Sequence, residues 1–207
     1  MIYRQIIYTA IVLLLFTIIG TTMVALTYEN TRERIAANER ATLLRKLNQL
    51  VPADSYDNEL VDDRITVIDP ATAGKDKTVT VYRARRGGAA VALVMSAVAP
   101  DGYSGKIRLL VGVQADDTLS GVRVVAHRET PGLGDAIDEQ RSDWIYGFDG
   151  KSLDYPPLAK WAVKKDGGHF DQLTGATITP RAIVRAVRQS LLYYRANREA
   201  LYSTGEP

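Results

Sequence analysis

The chain has 207 residues, room for one anchor segment and one domain of ordinary size, and a 46% hydrophobic, 24% charged composition excludes disorder over most of it. The net charge is only +2, with no concentrated basic stripe, so nucleic acid is not an expected partner. Cysteine is absent and His127 and His169 are the only imidazoles, which excludes disulfides, thiolate-ligated iron–sulfur or zinc sites and c-type haem attachment; redox chemistry here requires a borrowed organic cofactor.

From Gln5 to Tyr28 no side chain is charged, and the apolar run is about the length that spans a bilayer. Tyr3, Tyr8 and Tyr28 stand where interfacial aromatics are favoured. A cleaved signal peptide or a buried core helix share parts of this pattern, but the apolar stretch is long for a signal, and residues 1–28 read as a retained anchor. Arg4 precedes the span, whereas Arg32, Arg34, Arg40, Arg45 and Lys46 come after it, so flanking charge alone places the large C-terminal part in the cytoplasm.

Residues 29–60 read as a helical stalk. Ile35, Leu43, Leu44, Leu47, Leu50 and Val51 form a partial apolar stripe over 29–51, compatible with either a solvated or a packed helix, and Pro52 ends it. Residues 61–207 then read as a single domain. Alternating or apolar runs at 65–69, 78–84, 89–98, 106–113 and 121–127 predict five strands, separated by turn signals at Arg86-Gly87-Gly88, Pro100-Asp101-Gly102 and Asp116-Asp117. Connections this short favour antiparallel hairpins, hence an α+β fold with a largely antiparallel sheet. Residues 134–148 predict a short helix, and 161–164 one more strand. The final helix follows Thr179 as its cap and Pro180 at its first position, with Ile183, Val187, Leu191 and Tyr194 on one face.

Two segments carry candidate chemistry. The first, Asp171-Gln172-Leu173-Thr174-Gly175-Ala176-Thr177, runs into the final helix. Gly175 and Ala176 leave room for a bulky group, and an anion on the Thr177 hydroxyl would lie at the positive end of the helix dipole. The second, His127-Arg128-Glu129-Thr130-Pro131-Gly132-Leu133-Gly134, leaves the last strand; Gly132 and Gly134 permit close backbone approach, and Leu133 offers an apolar face to a planar ring. Each is also an ordinary loop when taken alone.

Together they resemble the FMN-binding domain family of the G subunit of Rnf electron-transport complexes, related to the C subunit of sodium-translocating NADH:quinone reductases. The family's His-x-Glu-Thr-Pro-Gly-Leu-Gly stretch is matched by residues 127–134 and its attachment sequon by 171–177; Tyr103-Ser104-Gly105 is similar to a third family feature. The resemblance implies FMN joined through its phosphate to the Thr177 hydroxyl by an ApbE-type flavin transferase, with Asp171 a recognition position. It implies Thr174, Gly175 and Ala176 as further recognition and packing positions beside the attachment point, and Glu129, Thr130, Gly132, Leu133 and Gly134 around the isoalloxazine ring. His127 reads as a turn residue, and Trp144 as a core residue rather than a cover for the ring. It further implies a domain on the periplasmic side of the inner membrane, against the charge count. The role implied is electron transfer among the other subunits of a complex coupling ferredoxin and NAD to ion movement. The quinone-reductase subunit, a reversible phosphate- or flavin-binding module, and a hydrolase using Thr177 as nucleophile are the alternatives; the last lacks a Gly-x-Ser-x-Gly elbow and a His-Glu-x-x-His motif.

Overall fold

The computed structural model describes residues 2–73 and 78–203. The chain separates into two compact units, residues 1–43 and 44–207. Helix α1 (Ile2–Leu50) makes up the described part of the first and contributes its last turns to the second. Among the described residues it is the helix long and apolar enough to cross a membrane, and its apolar stretch is unburied. Four of the threonines in that stretch bond back to the preceding turn: Thr9 donates to the Gln5 carbonyl (2.9 Å), Thr17 to Leu13 (2.9 Å), Thr21 to Thr17 and Thr27 to Met23 (2.8 Å). Such internal satisfaction is what a hydrocarbon environment requires.

In the second unit, five strands form an antiparallel meander in the order of the chain: β1 (Arg64–Ile68), β2 (Thr78–Arg86), β3 (Ala89–Gly102), β4 (Gly105–Gln114) and β5 (Leu119–Ala126). A single helical turn, α2 (Pro70–Ala73), lies between the first two. Register partners such as Leu93↔Val113 and Val111↔Val122 align the apolar positions that alternation predicted. Leu93, Met95, Ala97, Ile107, Leu109 and Val111 face the main core, against which the closing helix α3 (Ile178–Tyr202) lays Ile183, Val187, Leu191 and Tyr194. Each such buried aliphatic side chain contributes about 1.5–3 kcal/mol of transfer free energy. Burial and the neighbouring Tyr202 hydroxyl push the Tyr194 phenol well above its ordinary pKa. Ile183→Val, which removes one methyl group from a fully buried site, is expected to cost about 0.5–1.5 kcal/mol, read as a lower Tm of the full-length protein in detergent.

The opposite sheet face is also covered. Gly112 and Gly121 are register partners, and a Cβ on either would press on Leu50 (3.1 and 3.2 Å). The missing side chains thus let the last turn of α1 approach the sheet, and Leu47, Leu50 and Val51 are buried while Ile35 stays 48% exposed. Within the second unit, the predicted apolar stripe from Leu44 to Val51 is sheltered.

Three local expectations are corrected. Residues 134–148 form two 3-10 segments, Gly134–Ile137 and Asp143–Phe148, instead of one helix. Between them side chains compete with the helical pattern: Ser142 Oγ donates to the Ala136 carbonyl (2.6 Å) and Asp138 Oδ1 accepts from the Gln140 N–H (3.0 Å). Residues 161–164 make one parallel bridge, Val163↔Phe170, and no strand, because Trp161 turns into the core with its indole N–H shared between the Ser152 and Pro156 carbonyls (3.1 Å each). Finally, α3 begins at Ile178, with Thr177 at the cap position, so Thr179 and Pro180 lie inside its first turn.

Candidate functional site

The β3–β4 hairpin tip, the exit of β5 and the start of α3 meet at one end of the sheet, where Arg108 of β4 pairs with Ala126 of β5. Each arrives for a local reason. Gly102 and Gly105 close the hairpin around Tyr103 and Ser104. Beyond β5, the N–H groups of Leu133 and Asp135 both turn back on the Thr130 carbonyl (3.2 and 3.3 Å), with Gly132 at φ +76° just before Leu133. Before α3, the Ala176 N–H donates to the Leu173 carbonyl (3.2 Å) and Gly175 takes φ +77°, the position where a tight turn favours glycine.

These loops enclose an open cleft of about 410 Å³. Glu129, Thr130, Leu133 and Gly134 form one wall, Gly175 to Thr179 the other, and Tyr103 of the hairpin tip the third side. The two sequence motifs therefore converge. The contact is close: a Cβ on Gly175 would stand 2.9 Å from Leu133 Cδ2. Gly175→Ala meets both that contact and an unfavourable φ, and is expected to destabilise by about 1–2 kcal/mol, seen as a lower Tm.

Glu129 holds the walls together. Its carboxylate is 4% exposed; Oε1 accepts from the Ser104 backbone N–H (3.0 Å) and Oε2 from the Thr179 hydroxyl. Gly102 and Gly134 make this possible, since a Cβ on either would come within 2.9 Å of that carboxylate. Thr179, expected as a helix cap, instead commits its hydroxyl to a residue fifty positions earlier. Thr177, at the cap, makes no side-chain capping hydrogen bond, so its half-buried hydroxyl stands uncommitted at the head of α3. Pro180 has no N–H, and the remaining first-turn amides give that end its positive character.

The other predicted positions fall elsewhere. Gly132 shapes its turn, and Thr174 is exposed at the tip of the turn; neither lines the cleft. Asp171 faces a separate hollow, ion-paired with Lys164, while its carbonyl accepts from the Trp144 indole (2.8 Å). Trp144 packs edge-on against Phe148 (5.5 Å between centroids), a structural use. His127 Nδ1 accepts from the Glu129 N–H (3.1 Å), the turn role expected of it. Arg181, in α3, pairs with Asp166 (Nε–Oδ2 2.6 Å), tying the start of the helix to the turn that precedes residues 171–177; its guanidinium holds the Asp166 carboxyl below the usual range. Tyr103, Ile178 and Thr179 join the site without having been predicted as site residues. The signals for Tyr103 were its place at a hairpin tip and the family-like Tyr103-Ser104-Gly105 stretch.

Residues 102–192 match the FMN-binding domain model, and residues 1–50 match the RnfG N-terminal region. The G subunit of the ion-translocating oxidoreductase complex of Pseudoalteromonas atlantica is 52% identical over 93% of this chain and 90% of its own length. The chain belongs to this G-subunit family. Other family members are similar to it over comparable spans. The G subunit of Pseudomonas aeruginosa is 51% identical over 98% of this chain and 95% of its own length, and that of Vibrio cholerae 43% over 95% and 94%. The FMN-binding match contains both motifs and all the cleft residues.

The residues of the cleft fit FMN. A planar apolar ring finds Leu133, Ile178 and Tyr103; a phosphate finds an uncommitted hydroxyl, a side-chain-free Gly175 and the head of a helix.

Proposed function

We propose that this protein carries FMN covalently, through a phosphoester to Thr177 Oγ, and serves as an electron-carrying station in a membrane-bound ion-translocating oxidoreductase complex. The observation that supports it best is the uncommitted Thr177 hydroxyl at the head of α3, inside a cleft where Leu133 meets Gly175. Attachment makes one P–O bond at Thr177 and breaks the pyrophosphate of an FAD donor, AMP leaving with the hydroxyl proton. An ApbE-type flavin transferase using a divalent metal is the proposed catalyst, with Asp171 as a recognition position.

Once bound, the flavin supplies electron acceptance and release one electron at a time. The chain's own residues position it: Thr177 tethers, the α3 amides face the remaining phosphate charge, and Leu133 with Gly134 supports the ring. Ala176, Thr130 and Gly132 hold the backbone of the two loops through their turns, and Glu129 keeps the walls together. The tether prevents loss of the cofactor between encounters with neighbouring subunits. Ferredoxin and NAD are the proposed terminal couple of the complex, with ion movement as the output.

We place residues 1–28 as the anchor, 29–60 as the stalk and 61–207 as a flavin domain on the periplasmic side of the inner membrane. The flanking cations argue weakly for the other side, but long domains translocate largely regardless of flanking charge. A cysteine introduced near the C-terminus should label with an impermeant reagent in intact spheroplasts; labelling only after permeabilisation would reverse the orientation.

The covalent reading is tested by expressing the full chain with a flavin transferase, denaturing it, and viewing the gel under ultraviolet light. A fluorescent band at the chain's mass is the expected result. Complete release of yellow colour on denaturation would favour reversible binding, and no flavin in either fraction would remove the cofactor altogether.

A further inference from the structure

A second hollow, of about 370 Å³, lies beside the flavin cleft. Ser104 and Gly105 of the hairpin tip, Lys106 and Arg108 of β4, and His127 and Arg128 beyond β5 line it together with Ala126. Two of its walls continue directly into the cleft. Tyr103, in the cleft, precedes Ser104, and Arg128 precedes Glu129 and Thr130. Glu129, bonded to the Ser104 N–H, is the partition between the two.

The lining carries three cations and no carboxylate. Lys106 and Arg108 alternate with buried Ile107 and Leu109, so both project from the sheet face opposite the main core, exposed to solvent. Arg108 and Arg128 have no ion pair among the described residues; Asp101, at the tip of the same hairpin, pairs with Arg185 (2.9 Å), and Glu129 is buried. On the other side, the mouth of the cleft exposes apolar surface at Tyr103 (68%), Leu133 (44%) and Ile178 (46%).

We infer that this hollow is the docking point for an acidic segment of a partner subunit that exchanges electrons with the flavin. The docking role rests on the flavin reading above. An electron carrier must bring its partner against the cofactor edge and release it quickly, which favours a small apolar contact ringed by complementary charge. A cationic hollow next to an exposed apolar rim is one half of such a contact. The chain belongs to a family of subunits of a multi-subunit complex, and a lining of cations without a carboxylate selects an acidic segment of such a neighbour, placed beside the edge of the flavin.

The test uses full-length, detergent-solubilised protein rebinding to the complex purified without this subunit, across a range of salt. Arg108→Glu/Arg128→Glu is compared with the wild type, with Arg108→Gln/Arg128→Gln as a milder variant should reversal impair folding. Tm and in-gel flavin fluorescence are recorded on the same samples. The wild type should associate more slowly as salt rises, and the reversed variant should associate on the order of tenfold more slowly at low salt, with little salt dependence left. The milder variant should fall between them, with Tm and flavin content unchanged. Equal association of all three proteins at every salt concentration overturns the assignment. So does charge-dependent binding to anionic phospholipid vesicles, or competition by inorganic phosphate, without any effect on the complex. Salt-dependent docking in a wild type that carries no flavin would instead uphold the surface and remove the flavin reading.

Discussion

Thr177→Ala is expected to abolish covalent flavin completely, while Thr177→Ser retains it. The attachment segment holds three hydroxyls, on Thr174, Thr177 and Thr179, and the structure separates them. Thr174 is exposed at the turn and does not line the cleft. Thr179 is fully buried, and its hydroxyl is bonded to Glu129. Thr177 alone of the three combines access to the cleft with a hydroxyl that makes no capping bond. Alanine removes the only oxygen so placed, whereas serine keeps it and loses a methyl group. Loss of a bond that makes no contribution to the unmodified fold should leave Tm nearly unchanged, which distinguishes a missing attachment point from a damaged domain. Thr174→Ala, by the same geometry, should still be flavinylated. Fluorescence of the denatured band is the readout for all three.

Glu129→Ala is expected to cost about 3–5 kcal/mol, the largest stability effect among the cleft residues, because a buried charged acceptor leaves two donors behind. The Ser104 N–H and the Thr179 O–H would lose their partner at once, one on the hairpin tip and one in the first turn of α3. Glu129→Gln offers a different outcome. Its carbonyl can still accept from Ser104, and its amide can donate to the Thr179 oxygen, whose hydroxyl rotates. Only the charge assistance is lost, about 1–2 kcal/mol in all. Denaturant unfolding of the full-length protein should therefore rank wild type above Gln, and Gln well above Ala. Flavin loading should follow the same order, since the walls of the cleft separate when the carboxylate is removed. Equal stability of the alanine variant and the wild type would show that Glu129 does not hold the walls.

Much of this was legible in the residues because it depends on period and on short-range turn chemistry. The five strands follow from alternating apolar positions such as Leu93, Met95 and Ala97, and α3 from Ile183, Val187, Leu191 and Tyr194. The meeting of the two motifs was legible only through the resemblance; neither loop announces the other. What escaped depends on distant partners. Thr179 has the sequence context of a cap, and only the fold reveals that Glu129 claims its hydroxyl. The 134–148 segment has helical composition, but Ser142 and Asp138 take backbone groups that a helix needs. The stripe on the stalk was visible, yet its sheltered part is set by Gly112 and Gly121, two register partners that leave room for Leu50. Asp171 lies in the sequon but faces the hollow beside Trp144 and Lys164, away from the cleft, which no spacing within the loop could indicate.

Peptide mapping tests the central claim most directly. Trypsin cutting after Lys165 and Arg181 releases residues 166–181, which carry Thr174, Thr177 and Thr179 on one peptide. From protein expressed with a flavin transferase, this peptide should gain the mass of FMN less one water. Its fragment ions should place the gain between Ala176 and Ile178. An unmodified peptide from a fluorescent sample, or a gain assigned to Thr174 or Thr179, would contradict the account.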